Sequence, residues 1–144
     1  MTSRKILHVT SATIERVLAT VGILAAVAGA FVIGYFNPTT AGFFPICPLH
    51  AITGLNCPGC GLTRGFHALF HGDVLTALHF NALLPVYLFI GCYFFVSLGL
   101  TAVRGRGLSL NLFKPRLLWG FLIVLIVFGV VRNLPFYPFT ILAL

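Results

Sequence analysis

Val17–Phe36 reads VLATVGILAAVAGAFVIGYF, 20 residues without a charge. At about 1.5 Å per residue, a helix of that length reaches about 30 Å, the thickness of a bilayer's hydrocarbon core. Outward from it the pattern recurs. Val74–Val103 is uncharged for 30 residues, more than one crossing needs. Leu117–Val131 adds a run of 15, extended by Pro115 before it and Leu134 after it, with Arg116 and Arg132 placed to snorkel from its ends. Three crossings are expected, at about residues 17–36, 81–103 and 115–134 of a single membrane domain, 1–144. Composition agrees. Of the 144 residues 59% are apolar and 8% charged, against about 45–50% and about 25% in an ordinary globular chain. Such a surface argues against a soluble enzyme, a disordered tail and a nucleic-acid module.

The nine Lys and Arg face two acids, Glu15 and Asp73, for a net charge of +7. The cations sit in short clusters between apolar runs, a placement that fits the positive-inside rule and not a basic nucleic-acid surface. Arg4, Lys5, Arg16, Arg104, Arg106, Lys114 and Arg116 fall on one side of a three-crossing chain, and Arg64 and Arg132 near the other. The N-terminus is therefore expected in the cytoplasm, with residues 37–73 and the C-terminus outside. Ala28-Gly29-Ala30 resembles a cleavage site, but the apolar run continues through Phe31-Val32-Ile33, so a retained signal-anchor is expected.

Residues 1–16 read as a polar lead. Gly22, Ala26, Ala30 and Gly34 recur every four residues and line one face of the first helix. Such a small-residue stripe lets another helix approach closely, from this chain or a partner. Asn37-Pro38 should end that helix. Residues 37–61, rich in Pro and Gly, read as a turn-rich loop, and Leu62–Phe70 as an apolar-sided helix too short to cross. Gly72-Asp73 breaks the run, with Asp73 a fitting N-cap for the second crossing. Pro85 should kink that crossing near Asn81, and residues 104–116 should form a cytoplasmic basic loop. The expected fold is all-α and polytopic: three transmembrane helices plus a short interfacial or re-entrant helix after a Cys/Pro/Gly-rich loop.

That loop carries the chemistry: Cys47-Pro-Leu-His50, then Thr53-Gly-Leu-Asn-Cys57-Pro-Gly-Cys60-Gly-Leu-Thr-Arg64. It resembles a bacterial inner-membrane family catalogued as domain of unknown function 2752, whose core is C-P…T-G-x-x-C-P-G-C-G-x-T-R. An apolar turn, a Gly-Asp pair and an Asn-containing membrane helix come after that core in the family. Here Cys47-Pro48, Thr53-Gly54, Cys57 to Arg64, Gly72-Asp73 and Asn81 match over about residues 44–100. Asn-Pro is expected at the last position, where Asn81-Ala82 stands before Pro85. The resemblance implies a small polytopic protein of the bacterial inner membrane and assigns no activity.

Three chemistries compete for the loop. Cys47, His50, Cys57 and Cys60 offer three sulfurs and a nitrogen to a metal, and zinc takes four such ligands in a tetrahedron. Cys57-x-x-Cys60 ahead of a helix has the thioredoxin-like arrangement, in which Cys60 would be the thiol favoured by position, though the surrounding βαβ pattern is missing. A disulfide from Cys47 to Cys57 or Cys60 would staple the loop, as an oxidising compartment favours. The structural reading leads. Cys92, inside the second crossing, reads as a packing residue.

His67 and His71 are four apart and face one way; the spacing can chelate a metal, and an interfacial polar face is the simpler expectation. Arg64 and Asp73 flank the short helix, as an ion pair or as a loop clamp and a helix cap. No complete catalytic set is visible. The leading expectation is an accessory or assembly subunit packed in the lipid bilayer against other membrane subunits of a larger complex, an electron-transfer one among the options. The alternative is a membrane thiol–disulfide or metal-handling protein using the cysteine loop.

Overall fold

The structure, a computed structural model, describes residues 2–109 and 114–135, and residues 2–12 by their backbone alone. Residues from Phe136 onward and part of the basic loop lie outside the described residues. Every regular element described is a helix: α1 (Thr2–Tyr35), α2 (Pro48–Thr53), α3 (Leu62–Phe70), α4 (Val74–Phe80), α5 (Leu84–Arg104) and α6 (Pro115–Val131). Among the described residues two stretches are long and apolar enough to cross a membrane, Thr13–Tyr35 of α1 and α5; α6 is apolar but shorter, at 17 residues.

The sequence is translated locally with few departures. Helix α1 ends where Asn37-Pro38 stops it, and Asn37 Oδ1 accepts from the Thr39 amide at 3.0 Å to turn the chain. Its start is different: the polar lead is helical from Thr2, because nothing there breaks the ladder that the apolar run propagates. The loop contains an unforeseen helix, α2, opened by Pro48 in its first turn with Cys47 at the N-cap. Pro85 does not kink one long helix. The chain breaks completely at Asn81, whose backbone is extended at φ −158°, and Pro85 falls in the first turn of a new helix, α5. There its missing amide costs nothing, since first-turn amides have no partner within the helix.

The chain groups into two compact units. The first joins α1 as far as Phe31 with α5 from Leu88 onward. In it Leu98 lies in contact distance of Gly22, and the segment after α5 folds back along that helix. Ser97 Oγ accepts the Leu108 amide at 3.1 Å, and the Tyr93 hydroxyl donates to the Ser109 carbonyl. Residues 105–109 thus form a strap tied to α5 at Leu108 and Ser109, within the segment 104–116 expected as a cytoplasmic basic loop.

The second unit runs from Val32 to Tyr87 and takes in α6. Its apolar core is small: Ala68, Ala77 and Leu84 are buried, with Leu62, Leu69 and Phe80 against them. Helices α3 and α4 close on each other through Gly65, where a Cβ would lie 2.6 Å from Leu84 Cδ1 and 3.1 Å from the Ala77 carbonyl. A larger residue there would have to displace the Leu84 side chain and crowd the Ala77 carbonyl. Among the described residues the largest fully buried side chains are Arg132 and Asn81, while Leu18, Phe31, Phe89 and Trp119 are exposed. This inverts a soluble protein and suits a chain whose outer solvent is lipid.

The small-residue stripe is covered only at its ends. Gly22 meets Leu98 and Gly34 meets Phe70, whereas Ala26 and Ala30 are exposed. Replacing Gly65 by Ala should destabilise the second unit by about 1–3 kcal/mol through overpacking. Denaturant unfolding in detergent, followed by circular dichroism, checks this; unchanged stability would mean that α3 and α4 do not meet at Gly65.

Candidate functional site

Cys57-Pro58-Gly59-Cys60 forms a tight turn in which the Cys60 amide donates to the Cys57 carbonyl at 3.0 Å. Gly61 comes next at φ 78°, a left-handed conformation that glycine adopts freely, and serves as N-cap of α3. The turn directs two sulfurs to one point. Helix α2 brings the third, because its N-cap is Cys47. Cys57 Sγ lies 3.3 Å from Cys47 Sγ and 3.1 Å from Cys60 Sγ, and all three sulfurs fall within 4.8 Å of one another. They line a cavity of about 340 Å³ that also receives His50, Thr63 and Arg64. His50 shares the cavity, but the three-sulfur cluster does not include it. Cys92 is exposed on α5.

The turn is held from beneath by side chains of two other elements. Asn81, at the break between α4 and α5, donates through Nδ2 to the carbonyls of Pro58 at 2.8 Å and Cys60 at 3.1 Å. Its Oδ1 accepts the Leu83 amide at 2.9 Å and so helps to start α5. Arg132 comes directly after the last residue of α6 and is fully buried. One guanidinium nitrogen donates to the Cys60 carbonyl at 2.7 Å and the Cys57 carbonyl at 3.4 Å, the other to the Phe80 carbonyl at 3.0 Å. The Phe80 carbonyl is one of those that the end of α4 leaves without a helical partner. Asn133 pairs with Asn56 just before the turn, accepting its amide at 2.8 Å and donating to its carbonyl at 2.9 Å. Pro58 packs on Gly129 of α6, where a Cβ would stand 3.2 Å from its ring. Arg132 therefore turns inward, against the snorkelling expected of it, because the carbonyls of the turn offer a better-defined set of acceptors than the interface does.

The thiols differ in character. The His50 backbone amide, in the first turn of α2, holds the Cys47 thiol down to about 7, helped by the neighbouring Cys57 and Cys60 sulfurs. Burial pushes the Cys60 thiol up to about 12, and the adjacent Cys57 sulfur adds to the shift. This reverses the sequence-based expectation, which favours Cys60 from its place ahead of α3. Burial outweighs the helix terminus there.

The flanking charges serve separately. Asp73 caps α4, its Oδ1 accepting the Thr76 amide at 3.0 Å, and Thr76 holds its carboxyl below the usual carboxylate range. Arg64 is exposed on α3 and lines the cysteine cavity. The geometry gives Asp73 the role of a cap. Sequence reasoning does not reach Arg132, Asn133 or Asn56 as parts of the site. The available signal is an arginine at the end of an apolar helix, which by default marks a site.

Residues 47–95 match the family model described as "Protein of unknown function (DUF2752)", the family that the cysteine motif resembles. The match begins at Cys47 and takes in the turn, α3, α4 and Asn81, but not α6 with Arg132. No curated protein and no solved structure matches the chain.

Cys47 should be the thiol that reacts near neutrality. Its depressed pKa means that thiolate accumulates as pH rises through about 7. Iodoacetamide modification of Cys47, followed by peptide mass spectrometry, should therefore accelerate up to about pH 8 and then level off, with Cys60 unmodified throughout. A Cys47 rate still climbing at the ordinary thiol value of 9.0 would contradict the assignment.

Proposed function

We propose that this chain is a membrane metal-handling protein that holds a thiophilic cation on Cys47, Cys57 and Cys60. The observation that carries this reading is the convergence of three sulfurs, all within 4.8 Å of one another, on the wall of an open cavity. Zinc–thiolate bonds of about 2.3 Å in a tetrahedron set sulfurs about 3.8 Å apart, so small side-chain rotations open this cluster around an ion. Cys57 is nearly equidistant from its two neighbours. That suits a shared cation better than a single disulfide, which would leave one thiol over whichever pair formed. Three protein ligands leave a fourth position for water, for cargo exchange or for His50 across the cavity. Zinc fits the donor set, as does any soft d10 ion.

The setting we infer is the bacterial inner membrane, crossed by α1, α5 and α6, with the N-terminus in the cytoplasm and the cysteine loop outside. The cation asymmetry of the sequence supports this orientation. The second unit, which joins the end of α1, the start of α5 and α6, suits alternating crossings. An accessory role beside a larger complex draws its support from the exposed Ala26 and Ala30. It concerns where the site is carried and is compatible with metal handling.

Titrating the reduced full-length protein in detergent with Cd²⁺ tests the reading through the ultraviolet thiolate-to-metal charge-transfer band. The band should saturate at one ion per chain. Cys57→Ser should abolish the band, and Cys92→Ser should leave it intact. A reduced protein that develops no band, or whose band survives Cys57→Ser, would overturn the metal site.

A further inference from the structure

We propose that His67 and His71 form a second metal site, a bis-imidazole pair for a borderline divalent cation such as Zn²⁺, Ni²⁺ or Cu²⁺. The two rings stand 4.4 Å apart between centroids, tilted by 42°. Spacing alone would mean little; the hydrogen bonds are what point to a ligand. His67 Nδ1 lies 2.7 Å from the Ile33 carbonyl, and His71 Nδ1 lies 2.8 Å from the His67 carbonyl. A carbonyl oxygen only accepts, so each Nδ1 carries the proton. In a neutral imidazole this leaves the lone pair on Nε2. Both rings are thus held in the same tautomer, and in each the nitrogen not committed to a backbone carbonyl is an acceptor. Metal-binding histidines are prepared in the same way: a carbonyl or carboxylate takes one N–H, orients the ring and raises the basicity of the other nitrogen.

The pair is also held in place before any ion arrives. His67 is tied to the end of α1 through Ile33, and beside it Phe70 packs on Gly34. His71 is exposed at the C-cap of α3, so a cation has access and water can complete its coordination. Imidazole donors suit late first-row divalent ions, in contrast to the softer preference of three thiolates. The site is separate from the cysteine cluster. Cys60 precedes α3 and His71 comes after it, and the seven residues from Cys60 to His67 correspond to about 10 Å of helix. One short helix therefore carries sulfur donors at one end and nitrogen donors at the other.

The test uses a full-length variant in detergent with Cys47, Cys57, Cys60 and Cys92 replaced by Ala and its helical content checked against the parent by circular dichroism, so that no thiol competes for the ion. Cu²⁺ is titrated and the bound ion examined by electron paramagnetic resonance. One Cu²⁺ per chain with hyperfine structure from two nitrogens is expected. His71→Ala should remove one nitrogen and weaken binding by at least about tenfold, since the second ligand then no longer acts intramolecularly. The His71 ring is exposed and bonds only within its own turn, so this variant keeps its fold, verified by circular dichroism. Double replacement of His50 and His79 by Ala should leave affinity and spectrum unchanged. A His71→Ala protein that binds Cu²⁺ as the parent does, or a two-nitrogen signal lost with His50 and His79 instead, would overturn the site.

Discussion

The guanidinium of Arg132 reaches three backbone carbonyls at once, those of Cys57, Cys60 and Phe80. Two belong to the turn that carries the sulfurs, and the third ends α4. Because Arg132 itself sits at the end of α6, one side chain ties that helix to the cysteine turn and to the helix pair beneath it. Asn81 shares the Cys60 carbonyl with it, so both lone pairs of that oxygen are used. No buried side-chain nitrogen or oxygen among the described residues lacks a partner. Removing an arginine from water costs several kcal/mol, and each charge-assisted hydrogen bond returns roughly 1.5–3 kcal/mol. Such a residue is tolerated only where its acceptors are fixed in advance, and the Pro58-Gly59 turn fixes them.

This polar centre goes with an outer surface that is largely apolar. Helices α1, α5 and α6 present large apolar side chains outward, so the hydrophobic effect has little left to drive inside the second unit. Its apolar core is a few residues, made close by Gly65, Ala68 and Ala77. Hydrogen bonds to backbone then supply the specificity that a larger core supplies in a soluble domain. They keep the loop in one conformation, and with it the separation of the three sulfurs. The same economy appears in the first unit, where Ser97 and Tyr93 take up the backbone of the strap that comes after α5.

Helix placement is legible in the sequence wherever a local signal is strong. Leu62–Phe70 reads residue for residue as α3, and Asn37-Pro38 as the end of α1, because Pro and Gly act within a turn of where they stand. Asp73 as a cap belongs to the same class. The features that escape depend on contacts distant in sequence. Pro85 reads as a kink, whereas Asn81 stabilises a full break by bonding to the loop more than 20 residues earlier. The three cysteines read as one group from the motif, yet which of them is acidic depends on burial. Arg132 is the largest omission. It lies 72 residues from Cys60, and a cation at the end of an apolar run has the same local signature whether it snorkels or turns inward.

The dependence of the sulfur cluster on Arg132 is tested most directly with low concentrations of arsenite, which three thiols capture most tightly when they already converge. Parent protein and Arg132→Met would be compared in detergent, with helical content followed by circular dichroism and thiols counted by mass spectrometry after maleimide treatment. The parent should bind arsenite with Cys47, Cys57 and Cys60 all protected. The variant, which keeps an apolar side chain of similar reach but no donor, should retain its helical content and lose protection of at least one of the three. Full protection in the variant at the same arsenite concentration would show that the turn holds its shape without the guanidinium.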